Sequence, residues 1–487
     1  MKKILSAFMT IGSGTVISMI ATVIANKTFA LMLGPQGLGL FSIIRQASQS
    51  FTVLASFNGS SAVIQGMNSK PESEKIRYII SCIGFMFLFS IAIGLLMIFT
   101  AHWLAAWLFD DTSQVLLVYG ISFAVWLTVG ANIGRALLNG YLEMKCLAMV
   151  TALGGVGLAL TAYPAAMLVQ QGYQVALILP VITAALFSVF SAWFLLKKGG
   201  RLVSVFQQKK TMFPDDIKYF LNISAVVLLN GLAGVMSLLV VRSEIVQASG
   251  MGSAGIFAAA WAIGVLYTSL ILGVFRTYLL PMLSRRDEKN KSVLIDQMLR
   301  ASIFIIFPLL VVFIINKEWI ITVLYAESFI PASDLLSWLL LGAYIQMTNH
   351  SFDVQILSNA NMRLYLGVNV PFQLMFLGVS SYLVQSGYPL EWVAISFFCI
   401  VLIRMFVLFS MVRQRYHINI AASLVIRWLL GLATLIFCSV LTCSNSLPLE
   451  VSILLMGISM SLSLLMLNGA ERKQGWLWIQ KKRGVLT

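Results

Sequence analysis

Long apolar runs separated by short polar connections fill almost the whole sequence. A helix of about 20 predominantly apolar residues is long enough to cross the roughly 30 Å hydrocarbon core of a bilayer. The pattern therefore predicts an all-α polytopic membrane protein with about fourteen transmembrane helices. The predicted spans lie near residues 7–33, 39–65, 78–100, 114–138, 146–169, 175–196, 218–241, 254–280, 298–316, 332–358, 364–385, 391–412, 425–443 and 449–468.

The first two spans are joined by the segment Leu33-Gly34-Pro35-Gln36-Gly37-Leu38-Gly39, which predicts a tight hinge. Several short segments of the first half of the chain, including part of this hinge, have similar segments in the second half at a nearly constant spacing. Residues 37–41 match residues 253–257, and residues 108–111 match residues 324–327, both 216 positions later. A third match, between residues 138–145 and 357–363, has a spacing of about 218. Four matches in chain order, with Lys27 and Arg242 as the fourth, predict an internal repeat.

The repeat predicts two pseudo-symmetric six-helix lobes. Because six is even, both lobes enter the membrane from the same side, and a binding site is expected in a central cavity between them. The predicted divisions are an N-terminal lobe at 1–196, a basic cytoplasmic linker at 197–217, a C-terminal lobe at 218–413, an extra helix pair at 414–468 and a basic cytoplasmic tail at 469–487.

Composition supports the membrane assignment, and charge adds an orientation. Of the 487 residues, 59% are hydrophobic and 10% are charged, whereas soluble domains carry about 25% charged residues. The connections at 101–113, 170–174, 386–390 and 444–448 contain no Lys or Arg, while the alternate connections are basic. The positive-inside rule therefore predicts that both termini are cytoplasmic.

Three predicted helices carry polar residues spaced along one face. Such stripes indicate either a water-accessible cavity or hydrogen bonds between helices. The stripe residues are Ser42, Arg45, Gln49 and Thr52 on the second helix, Asn132, Arg135 and Asn139 on the fourth, and Gln346, His350 and Asp353 on the tenth.

Cations outnumber anions inside the predicted spans. The candidate cavity cations are Lys27, Arg45, Arg135, Arg242, Arg276 and Arg404, against one clear anion, Asp353. An excess of positive charge in a low-dielectric chamber favours an anionic substrate, and guanidinium groups suit phosphate oxygens. The alternative for each cation is snorkelling to the nearer interface. Arg404 has a further alternative, which is an ion pair with Asp353. Asp353 could instead bind a coupling proton together with His350.

Other functional classes find little support. The five cysteines are scattered, no metal-ligand spacing is present, and no Walker loop indicates direct use of ATP. We expect no enzyme activity, cofactor, metal or nucleic acid partner. A membrane oligosaccharide polymerase would need a large outer loop, and the longest predicted one, 317–331, has about fifteen residues.

The hinge segment, with Lys27 before it and Arg45 after it, resembles that of Wzx-type bacterial O-antigen flippases. So does the stretch from Arg242 through Gly255-Ile256-Phe257 to residues 278–285. These flippases belong to the multidrug/oligosaccharidyl-lipid/polysaccharide (MOP) superfamily. The resemblance covers about residues 5–413.

The resemblance implies alternating-access translocation of an undecaprenyl-diphosphate-linked oligosaccharide from the cytoplasmic to the periplasmic leaflet of the bacterial inner membrane. It also implies that Lys27, Arg45 and Arg242 engage the diphosphate, and it suggests a polysaccharide polymerase and a chain-length regulator as partners. Arg135, Arg276 and Arg404 are assigned to the same group by sequence position alone.

One feature departs from that family, whose members usually have twelve helices. An extra C-terminal pair is more typical of the related lipid II flippases. Flipping of lipid II or another lipid-linked sugar is therefore the main alternative function. A multidrug–cation antiporter of the same superfamily is a second alternative, which the excess of cations disfavours.

Overall fold

The computed structural model describes part of the chain. It comprises residues 2–199, 213–266, 299–300, 304, 306–359, 361–416, 422–444, 450, 454, 455, 457, 459 and 461. Some predicted features lie outside these residues. They are Arg276, much of the predicted spans at 254–280 and 449–468, residues 298, 301–303 and 305 of the span at 298–316, most of the linker and the whole tail.

Apolar helices make up the described chain, which confirms the predicted fold class. Nine of them are long and apolar enough to cross a membrane, or ten if one bent pair counts as a span. The count of fourteen stays a prediction. The helices are α1 (Lys2–Ala55), α2 (Ser60–Ser69), α3 (Glu72–Phe99), α4 (Ala101–Phe109), α5 (Val115–Gly140), α6 (Met144–Gln170), α7 (Leu179–Lys198), α8 (Pro214–Trp261), α9 (Ile306–Ile315), α10 (Lys317–Leu324), α11 (Ala332–Ser358), α12 (Met362–Gln385), α13 (Leu390–Tyr416) and α14 (Ala422–Ser444).

Two of these helices are far longer than one membrane crossing and are broken at a glycine. At about 1.5 Å per residue, the 54 residues of α1 would extend roughly 80 Å. Gly34 has φ 64° and ψ −162°, a left-handed φ that side chains disfavour, and Pro35 then starts the second half of α1. Gly250 breaks α8 in the same way, with φ 83° and ψ 169°. The two breaks are 216 residues apart, which is the spacing of the sequence repeat.

The second halves of α1 and α8 cross at glycines that also differ by 216 positions. A Cβ atom on Gly39 would collide with the carbonyl oxygen of Met251, and one on Gly255 would collide with that of Pro35. Only hydrogen at these positions allows the two backbones to approach so closely. The glycines of the repeat therefore determine both where the helices break and how they pack.

The predicted second span, 39–65, is interrupted. Helix α1 ends at Ala55, and α2 begins only at Ser60, because Phe57 and Asn58 adopt left-handed φ values of 51° and 46°. The amide nitrogen of Asn58 donates to the carbonyl oxygen of Val227 at 3.0 Å. This contact is made with a residue far away in the chain, so counting apolar residues could not predict the interruption.

Two predicted outer loops are instead largely helical. The connection at 101–113 contains α4, and the connection at 317–331 contains α10, which bends from α9 by 84°. Short 3₁₀ helices follow at Thr112–Gln114 and Glu327–Phe329. Both segments are rich in aromatic and aliphatic residues, which here form helix rather than loop.

The described residues form two compact units. Unit 1 contains those within Met1–Ala259, Leu324–Phe329 and Asn369–Tyr388, and unit 2 contains those within Ala260–Val323, Ile330–Val368 and Pro389–Thr487. Most of α8 thus lies in unit 1. The limits of the two predicted lobes remain predictions.

A buried carboxylate anchors the start of α8 within unit 1. Asp216 accepts hydrogen bonds from Lys70 Nζ at 2.7 Å and from Arg77 Nε at 2.9 Å. Lys70 also lies over the rings of Tyr78 and Tyr219, at 5.1 and 5.4 Å from the ring centroids. Glu74 lies 3.7 Å from both Lys70 and Arg77, so that the cluster has two cations and two anions. It forms a structural contact between the start of α8 and the start of α3 with the residue Lys70 that precedes it.

Candidate functional site

Arg45 and Arg242 come together in unit 1, from the second half of α1 and the first half of α8. Arg45 is half-buried, and Arg242 is only 8% exposed. The Arg242 side chain donates from Nη1 to the carbonyl oxygen of Ser42 at 3.4 Å. The charges of the two arginines repel each other, and Tyr325 lies near both side chains.

Polar contacts between α1 and α8 hold the arginines in place. Gln46 Nε2 and Ser50 Oγ both donate to the carbonyl oxygen of Val235 at 3.0 Å. Val235 and Arg242 are seven residues, or about two turns, apart and so share one face of α8. Sequence reasoning missed Gln46 and Ser50, although their spacing from Ser42, at i+4 and i+8, was a usable signal.

The predicted stripe on α1 does not have one common environment. The Ser42 hydroxyl donates to the carbonyl oxygen of Gly39 at 2.8 Å, which ties it to its own helix. Gln49 is exposed. Thr52 is buried, and no described residue forms a hydrogen bond with its hydroxyl. The members of the stripe therefore differ in burial and hydrogen bonding, and their role in lining a cavity stays a prediction.

Two further candidate cations, Lys27 and Arg135, also belong to unit 1. Lys27 is half-buried on the first half of α1, about two turns before the break at Gly34. Arg135 is half-buried on α5 and donates from Nη2 to Asn132 Oδ1 at 2.9 Å, a contact within its own helix. Their part in substrate binding stays a prediction.

Arg404 and Asp353 form a buried ion pair in unit 2. Arg404 Nη2 donates to both carboxylate oxygens of Asp353, at 2.8 and 2.7 Å, and Nη1 donates to Gln346 Oε1 at 3.4 Å. Arg404 and Asp353 are 5% and 6% exposed. The sequence left open whether Asp353 pairs with Arg404 or binds a coupling proton together with His350. In this geometry Asp353 pairs with Arg404 and offsets its charge. His350 is half-buried one turn before Asp353 on α11.

The arginine pair of unit 1 has no such compensation. In the described part of the chain, no carboxylate forms an ion pair with Arg45 or Arg242, and no group accepts a hydrogen bond from Arg242 Nε. The nearby carboxylate of Glu244 accepts instead from Gln385 at 3.1 Å. A half-buried and a buried arginine close to each other, with an unused donor on Arg242, have the chemistry of an anion site.

A model of one protein family, described as "Polysaccharide biosynthesis protein", matches residues 28–334. The chain belongs to this family. The match confirms the resemblance drawn from the hinge, and it includes Arg45, Arg242 and Tyr325. Both arginines of the pair therefore lie within the part of the chain that matches the family.

Among curated relatives, this family member is similar to proteins named lipid III flippase from Escherichia coli (strain K12) and Shigella flexneri. Each is 23% identical over 363 residues, which cover 73% of this chain and 85% of the relative.

Solved structures with a similar fold include one titled lipid II flippase MurJ in an inward closed conformation. It has a TM-score of 0.69 at 15% identity and covers 93% of this chain and 96% of that one. A MOP superfamily transporter from Pyrococcus furiosus has a TM-score of 0.62 at 16% identity, covering 84% and 95%. The polysaccharide biosynthesis family member thus has the fold of MOP superfamily transporters.

Proposed function

We propose that the protein is a flippase for lipid-linked oligosaccharides. It translocates an undecaprenyl-diphosphate-linked repeat unit of the O-antigen type from the cytoplasmic to the periplasmic leaflet of the bacterial inner membrane. Both termini lie in the cytoplasm, and a polysaccharide polymerase and a chain-length regulator act on the product outside. The protein itself makes and breaks no covalent bond.

The observation that carries this proposal is the uncompensated pair Arg45–Arg242. Burying one unpaired charge costs several kcal/mol, and placing a like charge beside it costs more. A diphosphate would offset both costs, because its oxygens accept charge-assisted hydrogen bonds from several guanidinium donors at once. Lys27, about two turns before the hinge, is the next cation that we expect to reach it.

A polar route explains why such a lipid needs a protein at all. A diphosphate with several sugars would have to lose its hydration to cross roughly 30 Å of hydrocarbon. In our proposal the diphosphate and sugars pass through the protein by alternating access, while the polyprenyl chain stays in the lipid.

The family and the relatives support a lipid-linked sugar as substrate. The family description names polysaccharide biosynthesis, and the relatives are named for the flipping of lipid III. The O-antigen type of repeat unit rests on the resemblance of the hinge segment and of the stretch from Arg242 to residues 278–285 alone. Lipid II and lipid III are therefore the substrates against which it must be tested.

The decisive experiment depletes the protein and identifies the glycolipid that accumulates on the cytoplasmic leaflet. We expect an undecaprenyl-diphosphate-linked oligosaccharide with the composition of the surface polymer. Accumulation of a peptidoglycan precursor would assign the protein to lipid II, and unchanged lipid pools with increased drug sensitivity would favour a multidrug antiporter.

Substitution of the arginines tests the site itself. Arg45→Ala and Arg242→Ala should each reduce surface polysaccharide at least tenfold while the protein stays in the membrane. Arg242→Lys should recover only part of the activity, because an ammonium group cannot form bidentate contacts. Arg413→Ala, at an exposed position on α13, is the matched control. Normal surface polymer in both alanine variants would rule out the arginine pair as the diphosphate site.

A further inference from the structure

A cavity of about 330 Å³ lies in unit 1 beside the break at Gly34 and is separate from the arginine pair. Gln36 and Leu40 of α1 line one side of it. The opposite side is formed by the ends of α4 and α6 and the 3₁₀ helices Thr112–Gln114 and Gln174–Ile178. The connections that form this wall contain no Lys or Arg, so the cavity lies on the predicted outer face.

Three glutamine side chains give the cavity its chemistry. Gln114 Nε2 donates to Gln174 Oε1 at 2.6 Å and to Asp111 Oδ2 at 3.2 Å. Among the described residues, no hydrogen bond uses the carbonyl oxygen of Gln114, the amide nitrogen of Gln174 or the side-chain amide of Gln36. Gln36 and Gln174 are exposed and Gln114 is half-buried, so these groups are open to solvent or to a ligand. The cavity therefore offers both hydrogen-bond acceptors and donors, which hydroxyl groups can match because each of them donates and accepts.

Charge argues against a phosphate at this position. Among the described residues that line the cavity, Asp111 is the one that is ionisable. Hydrogen bonds from the Ser113 hydroxyl and N–H, and from Gln114, lower the pKa of Asp111, so it is ionised at neutral pH. A diphosphate would be repelled by this carboxylate, whereas a neutral polyhydroxyl ligand would gain a further acceptor.

Size and apolar surface limit the ligand further. Small-molecule sites have volumes of about 300–1,000 Å³, so this cavity is at the lower limit and suits a single ring. Leu40 and Phe109 supply apolar walls next to the amides. A sugar ring has the matching surface, with C–H groups on its faces and hydroxyl groups around its edge.

The cavity and the arginine pair lie on different sides of α1. Gln36 and Arg45 are nine residues apart in the continuous second half of the helix, which is about two and a half turns. Their side chains therefore point in nearly opposite directions, and one ligand group cannot contact both.

We propose that this cavity is a saccharide site that binds one neutral hexose or N-acetylhexosamine ring on the outer face. The source of the sugar, the transported glycan, rests on the proposed function. The chemistry of the cavity is independent of that function. The site borders Gly34 through Gln36 and borders Gly250 through Met251, so a bound sugar contacts both broken helices where they change direction.

Saturation-transfer NMR with the full-length protein in nanodiscs tests the proposal. The protein is purified without glycoside detergents, and the probes are glucose, galactose, mannose, N-acetylglucosamine and N-acetylgalactosamine. We expect a saturation-transfer signal for at least one sugar. In the double variant Gln114→Leu/Gln174→Leu this signal should be reduced fivefold or more. Gln36→Leu changes a lining residue on another element and should show the same loss of saturation transfer. It tests the site independently if the double variant folds poorly.

Two control variants make the result specific. Gln171→Leu changes an exposed amide in the same connection that does not line the cavity and should leave transfer unchanged. Arg45→Ala should lose transport and keep sugar binding, so the two proposals can fail separately. Equal transfer in the wild type and the cavity variants, no transfer to any of the five sugars, or loss of transfer in Arg45→Ala would each overturn the saccharide site.

Discussion

Arg242 and Arg404 are buried to nearly the same extent, yet their surroundings differ in kind. Arg404 donates to both oxygens of Asp353, so that its charge and its donors are largely used within the protein. Arg242 makes one long hydrogen bond to a backbone carbonyl and faces the like charge of Arg45. We therefore expect the Arg404–Asp353 pair to act mainly in stability. Arg242 forms no ion pair with a described carboxylate, and we expect its remaining donors to be available to a ligand.

The ion pair predicts a specific pattern of stability. Removing one partner of a buried pair costs about 3–5 kcal/mol, because the other charge is left unpaired, whereas replacing both by apolar residues is often nearly neutral. Asp353→Leu should therefore lower the thermal unfolding midpoint of the purified protein strongly, and Asp353→Leu/Arg404→Met should recover most of the loss.

The same double variant distinguishes structure from ion coupling. If the pair is structural, the stable double variant still displays surface polysaccharide. A double variant that is stable but transports nothing would instead indicate that Asp353, with His350 on the same helix, binds the coupling proton.

At the scale of elements, glycines decide how α1 and α8 are shaped. Gly34 and Gly250 break the helices, and Gly39 and Gly255 let the segments after the breaks approach closely. The hinge was predictable because Gly34-Pro35 is a local backbone signal. The close contact was not, because nothing in the local sequence indicates which carbonyl a Cβ atom would meet.

Alanine substitution tests this contact. Gly39→Ala and Gly255→Ala place a methyl group against a backbone carbonyl that cannot rotate away, and such overpacking typically costs about 1–3 kcal/mol. We expect a lower thermal midpoint in both variants. Gly367→Ala in α12 meets no atom within 4 Å and should be neutral or slightly stabilising. Equal midpoints in all three variants would show that the crossing tolerates a side chain.

At the scale of the whole molecule, the orientation in the membrane determines which face each site serves. The positive-inside rule places the connection at 170–174 outside and the end of α7 in the cytoplasm. The saccharide cavity and the anchor at Asp216 would then lie on opposite sides of the membrane. This orientation is a prediction from the distribution of Lys and Arg.

Labelling of single cysteines checks the orientation. In a background without the five native cysteines, a membrane-impermeant maleimide should label Gln171→Cys in intact spheroplasts. Lys198→Cys should react only after the membrane is opened; both positions are exposed in the structure. The reverse pattern would place the termini outside and move the saccharide cavity to the cytoplasmic face.

The sequence by itself determined the helical membrane fold, the hinge at Gly34-Pro35 and the repeat of 216 residues, because hydropathy and backbone preference act locally. Only the tertiary structure decided which charges are paired. It joined Arg404 to Asp353, left Arg45 beside Arg242, and used Gln46 and Ser50 to connect α1 with α8. Those outcomes depend on the rotation and register of helices distant in the chain, and a pattern read along one helix contains neither quantity.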